Sequence, residues 1–160
     1  MHKGNVFIMT CYTVRRAERA DAGAIAEIEK LSFTDPWTEG MILSEMTEGI
    51  EFTLLLDGER IIGYSIVDFR VEDEAELHNI AIVPEYRGRG LASLLMDKML
   101  ADAGKRAVGV IFLEVRSGNT AARALYKKYG FTELSVRRNY YRSPIEDAVI
   151  MQWTDKRMQA

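Results

Sequence analysis

The chain has 160 residues, 21 basic and 24 acidic, with a formal charge of −3 and 48% hydrophobic residues. That length suits one domain, and at this size about 70% of the unfolded surface can be buried without staples. Ordinary apolar content excludes a disordered or fibrous protein, and the longest uncharged apolar run, Ile61 to Val67, is far short of the ~18 residues of a membrane span.

Val6 to Met9 is too brief an apolar core for a signal peptide. Residues 1–9 are expected to form a loose extension, and residues 10–160 a single domain. Cys11 is the only cysteine, so no internal disulfide forms, which fits a cytoplasmic protein. With His2 and His78 it supplies too few ligands for a structural zinc site, and no metal is expected.

Tyr12 to Arg15 reads as a strand. Asp21 is the expected cap of a helix carrying Ile25, Ile28 and Leu31 on its inner face. Asp35-Pro36 breaks the chain before a short helix from about Thr38 to Glu48, with Met41, Ile42 and Met46 inward. Phe52 to Leu56 and Arg60 to Phe69 make a hairpin around Asp57-Gly58. Leu77 to Val83 is a further strand. A helix follows from about Gly90 to Ala103, with Leu91, Leu94, Leu95 and Met99 at helical spacing. After a strand from Val110 to Val115, Asn119 or Thr120 caps a helix that Gly130 stops. Phe131 to Val136 and Ala148 to Trp153 close the chain as strands. The predicted class is α/β, with a single central, mixed but mostly antiparallel sheet flanked by helices.

Charge is unevenly spread. Residues 1–80 hold 7 basic and 16 acidic side chains, net −9, and residues 81–160 hold 14 and 8, net +6. Two partners of opposite sign would explain this, as would an uneven but merely solvated surface.

Arg87-Gly88-Arg89-Gly90-Leu91-Ala92 lies between a strand and a helix. Glycines there let backbone N–H groups approach an anion, and the helix start adds partial positive charge. A Walker loop needs Gly-Lys-Ser/Thr, which is absent, and a dinucleotide fingerprint is poorly served by Ser93 and by hairpin-joined strands.

Arg87-x-x-Gly90-x-Ala92 resembles the acetyl-CoA pyrophosphate loop of the GNAT N-acetyltransferase superfamily, whose element order is also the one read above. Phe33-Thr34-Asp35-Pro36-Trp37, Leu77-His78-Asn79-Ile80-Ala81, Leu113-Glu114-Val115-Arg116 with Asn119, Ala124-Leu125-Tyr126 and Arg138-Asn139-Tyr140-Tyr141 before Glu146-Asp147-Ala148 narrow the likeness. Together they resemble the bacterial ribosomal-protein-alanine N-acetyltransferases of RimI type. The resemblance implies that the backbone of Ile80, Ala81 and Ile82 meets the acetyl and pantetheine part of acetyl-CoA. Arg87, Gly88, Arg89, Gly90, Leu91, Ala92 and Ser93 would hold the pyrophosphate, and Asn119 the pantetheine arm. Glu114 would be the general base and Tyr126 the general acid. The implied acceptor is a basic protein N-terminus, that of a small-subunit ribosomal protein, with no membrane or direct nucleic-acid partner.

The chemistry agrees with that assignment. Acyl transfer needs a neutral amine, and a peptide α-amine (reference pKa ~8) costs about 3 kcal/mol less to neutralise than lysine (~10.4). Glu114 lies inside the apolar run Ile111 to Val115, where desolvation should make it more basic. Tyr126 stays protonated at neutral pH and can donate to a leaving thiolate. The competing readings make Glu114 an ion-pair partner of Arg116 or another cation, and Tyr126 a half-buried packing residue. Glu76 and His78, on one face of their strand with Leu77 and Asn79 on the other, are rival bases. Acceptors on lysine or small amines, and a non-catalytic acetyl-CoA sensor, are the alternative functions. Arg137, Arg138 and Arg142 around Tyr140-Tyr141 are too short a patch to imply RNA binding. Glu39, Glu45, Glu48 and Glu51 are expected to form an acidic rim that attracts a basic acceptor.

Overall fold

The computed structural model describes residues 11–158, so the extension expected at residues 1–9 lies outside the described residues. The element order is the expected one. The first half comprises β1 (Tyr12–Arg16), α1 (Ala22–Ser32), α2 (Glu39–Glu45), β2 (Ile50–Asp57), β3 (Arg60–Asp68) and β4 (Glu74–Ile82). The second comprises α3 (Ala92–Lys105), β5 (Val110–Arg116), α4 (Thr120–Lys128), β6 (Thr132–Arg142) and β7 (Ile145–Thr154). One seven-stranded sheet runs in the order β1-β2-β3-β4-β5-β7-β6. Only β4 and β5 are parallel, because α3 supplies the long crossover that a parallel pair requires; the other neighbours are antiparallel.

Leu54 and Leu55, successive in β2, are both fully buried, so the middle of the sheet is covered on both faces. One apolar cluster joins α1 and α2 to β2 and β3; the other gathers α3, α4, β5 and β7. Ile25, Ile42 and Leu95 are fully buried, each contributing about 1.5–3 kcal/mol.

Several local expectations are corrected. Asp21 does not cap α1; its carboxylate accepts from the Glu18 N–H at 2.7 Å and from Arg15 at 2.9 Å, closing the turn before the helix. Leu31 is 58% exposed: six residues past Ile25, it has rotated off the stripe that Ile25 and Ile28 define. Thr38 caps α2 through the Met41 N–H, but the helix ends at Glu45 and Met41 faces solvent. Asp57 pairs with Arg60, so the hairpin loop is Gly58–Glu59. Asn119 rather than Thr120 caps α4, accepting from the Ala122 N–H. Leu94 lies at the rim of α3 while Leu91, Leu95 and Met99 are buried. The last two strands outrun their expected limits: β6 continues to Arg142 and β7 begins at Ile145. β6 is an edge strand, exposed along nearly its whole length, so no apolar alternation marks it.

Glu29 of α1 is completely buried. Its carboxyl oxygens accept from the Tyr64 hydroxyl on β3, from Asn79 Nδ2 on β4 at 2.6 Å and from the Trp37 N–H at 3.0 Å. One side chain thus ties the helix, two strands and the loop before α2 together. Burial, then the Glu29 charge, holds the Tyr64 phenol far above its usual value. Glu29→Leu leaves one buried donor, Tyr64, and two part-buried ones, Asn79 and the Trp37 N–H, without this acceptor, at about 1–3 kcal/mol for a buried group. Urea unfolding should show a loss of roughly 3 kcal/mol or more, against little change for the exposed control Glu27→Leu.

Candidate active site

The parallel pair parts midway. β4 and β5 are in register only from Glu74↔Val110 to Leu77↔Leu113, yet β4 continues to Ile82 and β5 to Arg116. Beyond Leu77 no residue of β5 pairs with β4, so β5 leaves open the edge of β4 along Ile80 to Ile82. The cause is a bulge: Val67 pairs with Leu77 and Ile66 with Asn79, leaving His78 as the extra residue. A bulge bends its strand and re-aims the side chains that follow. Leu77 therefore packs with α3, whereas Asn79 reaches Glu29 on α1. Simple alternation, which puts these two residues on one face, fails at this point.

The loop after β4 presents a row of donors at the start of α3. Among the described residues, no backbone carbonyl accepts from the N–H groups of residues 88–92. Gly88 and Gly90 have φ of 76° and 73°, a conformation that disfavours any side chain. A Cβ on either would meet no protein atom within 4 Å, so backbone conformation and not crowding selects glycine here. Free N–H groups at the head of a 14-residue helix are suited to a phosphate group. The cradle therefore fits the pyrophosphate of acetyl-CoA.

The two arginines of this loop face elsewhere. Arg87 donates from Nε to the Ile82 carbonyl at 2.8 Å and from Nη2 to Ser32 at 3.2 Å. Arg89 donates to the Glu85 carbonyl and lies 4.8 Å from the Tyr86 ring centroid. Both guanidinium contacts of Arg87 fix the loop, to β4 and to the end of α1. Tyr129 bonds Ser93 and Asp97 on the first turn of α3, bracing α4 against the cradle.

Glu114 lies on β5 opposite the buried face of Ile111, Leu113 and Val115. Its surroundings are more polar than the apolar run implies: its side chain is 26% exposed, with Arg137 Nη1 at 3.5 Å. Its ion-pair partner is therefore Arg137 on β6, and not Arg116. Tyr140 lies within hydrogen-bonding reach of the Glu114 carboxylate, which raises its phenol's pKa. Tyr126, on α4, is buried with its ring 5.9 Å from that of Phe131. Burial first, then the neighbouring Tyr141, holds its phenol well above the usual tyrosine value. Tyr141 is pushed up to about 12, by burial first and then by the Glu114 charge. The Glu114 charge thus reaches Tyr141, and Tyr141 acts in turn on Tyr126. The sequence singled out Tyr141 only as part of the Arg138-Asn139-Tyr140-Tyr141 stretch, in the family likeness and beside the basic patch set aside as too short for RNA binding.

His78 Nε2 lies 3.8 Å from Asp68 and 3.7 Å from Glu76, with its ring edge-on to Trp37 at 6.4 Å. The expected acidic rim is redistributed. Glu51 is paired with Arg106 at 2.8 Å and Arg16 at 3.5 Å, and Glu48 lines a cleft with Arg16 and Arg19. Of the other two, Glu39 is exposed and Glu45 half-buried on α2, while Glu76 of β4, outside the expected rim, is exposed beside His78.

A parallel pair parted beside an anion cradle, with a carboxylate on β5 and a buried phenol on α4, is the layout of an acyltransferase. The chain belongs to the acetyltransferase (GNAT) family, whose sequence pattern matches residues 22–131. It is 38% identical over 141 residues to the [ribosomal protein bS18]-alanine N-acetyltransferase of Haemophilus influenzae, spanning 86% of this chain and 95% of that protein. The crystal structure of the ribosomal-protein-S18-alanine N-acetyltransferase from Escherichia coli matches with a TM-score of 0.84 at 36% identity, covering 90% of this chain and 94% of that one. Ard1 from Thermoplasma volcanium gives 0.82 at 27% identity, over 89% and 97% of the two chains.

Proposed function

We propose that this protein transfers acetyl from acetyl-CoA to a protein N-terminal α-amine, the alanine of a small-subunit ribosomal protein, by direct transfer within a ternary complex. The observation that carries this reading is the 38% identity to the Haemophilus influenzae enzyme over 95% of that protein's length. Such an acceptor places the reaction in the cytoplasm; among the described residues no helix is long and apolar enough to cross a membrane.

Acetyl-CoA supplies an acetyl group activated as a thioester. The backbone of residues 88–93 holds its pyrophosphate, the free edge of Ile80 to Ile82 its acyl end, and the Asn119 amide nitrogen its pantetheine arm. Asn119 Oδ1 is already engaged in capping α4, so the nitrogen is the group left to donate. A Glu114 carboxylate oxygen takes the proton from the α-amine, whose reference pKa of ~8 makes this a modest demand. The Tyr126 hydroxyl gives its proton to the leaving sulfur. A phenol held above its usual value remains protonated at neutral pH, as a donor must.

Incubation with acetyl-CoA and a panel of N-terminal peptides tests the reading. Mass gain on alanine-starting peptides is the expected result; gain only on internal lysines or small amines would overturn it. Peptides with Arg or Lys after the alanine should outperform acidic ones at low salt. The advantage should shrink near 1 M salt, where the Debye length is ~3 Å. Glu76→Gln should reduce the contrast and Glu48→Gln should not.

A further inference from the structure

Arg116 ends β5, two residues beyond Glu114 and on the same face. Its guanidinium is shared among several segments. Nη1 donates to the Pro144 carbonyl at 3.1 Å and to Glu146 at 3.3 Å. Nη2 donates to Thr34 Oγ1 at 3.2 Å and to the Ser143 carbonyl at 3.4 Å. Its Cζ lies 4.2 Å from the centroid of the Tyr141 ring. One side chain thus joins the loop between α1 and α2 to the turn between β6 and β7, and rests on the Tyr141 ring beside the Glu114 face of β5. The proton steps described above use none of these contacts.

We propose that Arg116 is a positioning residue for the acceptor: it fixes the separation of the two segments it joins beside Glu114, the loop between α1 and α2 and the turn between β6 and β7, and holds the Tyr141 ring in place. The inference rests on the acyl-acceptor reading above and deepens it. Its anchor is itself anchored. Glu146 accepts from the Gly118 N–H at 2.6 Å and from Ser117 Oγ at 3.3 Å, and the Gly118 bond is the first cause holding its carboxyl below the usual value. Gly118 directly precedes Asn119, so the clamp also reaches the turn assigned to the pantetheine arm. The planar, five-donor fork is what the geometry uses, because a lysine ammonium cannot serve both carbonyls and Thr34 while lying over a ring.

Arg116→Lys in the full chain, which keeps the charge and loses the fork, is the test. Peptide KM should rise roughly 10-fold or more while kcat falls by less than about 3-fold, the split expected when acceptor placement alone is lost. The acetyl-CoA Kd from calorimetry should stay within about 2-fold of wild type. Amide hydrogen exchange should rise together in residues 33–38 and 143–146. Unchanged exchange in either segment overturns the clamp, and unchanged peptide KM overturns its role in acceptor placement. A parallel loss of kcat and acetyl-CoA affinity overturns it too, since that marks a general structural defect. If the wild-type protein acetylates no N-terminal peptide, the acceptor reading itself fails. The exchange arm then decides the clamp alone.

Discussion

Replacing Glu114 by Gln is expected to slow acetyl transfer by roughly 10²-fold or more while leaving acetyl-CoA affinity near its starting value. Glutamine keeps the shape of the side chain beside Arg137 and Tyr140 and removes the atom that accepts the amine proton. At 1.36 kcal/mol per decade, a 10²-fold loss is about 2.7 kcal/mol of transition-state stabilisation. Tyr126→Phe should give a loss of the same kind, since phenylalanine keeps the ring packed beside Phe131 and removes only the proton donor. The pH profile supplies a further check. A raised phenol pKa means the proton-donating form persists to higher pH, so Tyr126 should impose no fall in rate below about pH 10. Single-turnover rates with an alanine peptide, read beside calorimetric affinities, separate the two steps. Full activity in Glu114→Gln, with His78→Ala or Glu76→Gln inactive, would move the base to β4.

Gly90→Val should abolish most acetyl-CoA binding, with a rise in Kd of roughly 10²-fold or more. The native φ of 73° costs a side-chain-bearing residue about 1–2 kcal/mol and a β-branched one more. The substituent would also stand over the donors that face the phosphates. Because a Cβ here meets no protein atom, the variant should fold, and a thermal melt checks that. Arg87→Ala should weaken binding far less, through a looser loop, since its guanidinium is spent on Ile82 and Ser32. Calorimetry on the two variants makes the comparison. Unchanged affinity in a folded Gly90→Val variant would remove the cradle from the cofactor site.

The legibility of this protein was uneven, for reasons that lie in particular residues. The Arg87 to Ala92 stretch could be read because its conformation is local: glycines at fixed offsets before a helix carry the same meaning in any fold. Glu114 and Tyr126 were legible as residues and not as an arrangement, since nothing in the order of the chain shows that Tyr141 feels the Glu114 charge and acts on Tyr126. Glu29 went unread although a signal was present. It lies one turn beyond Ile25 on the stripe that buries α1, and an acid on a buried stripe calls for partners. Those partners, Tyr64, Asn79 and Trp37, come from three separate segments.

By itself the sequence determined the element order, the single mixed sheet and the glycine-bearing turn between β4 and α3. These follow from periodicity and backbone preference, each set within a few residues of chain. Only the tertiary structure decided that the bulge at His78 parts β4 from β5, and that Glu114 pairs with Arg137 and not with Arg116. It alone took Glu51 out of the acidic rim and put Arg116 between two distant loops. Those outcomes depend on register and on which side chains meet across strands. Register is fixed by the packing of both sheet faces at once, and a one-residue bulge redirects every side chain that follows it.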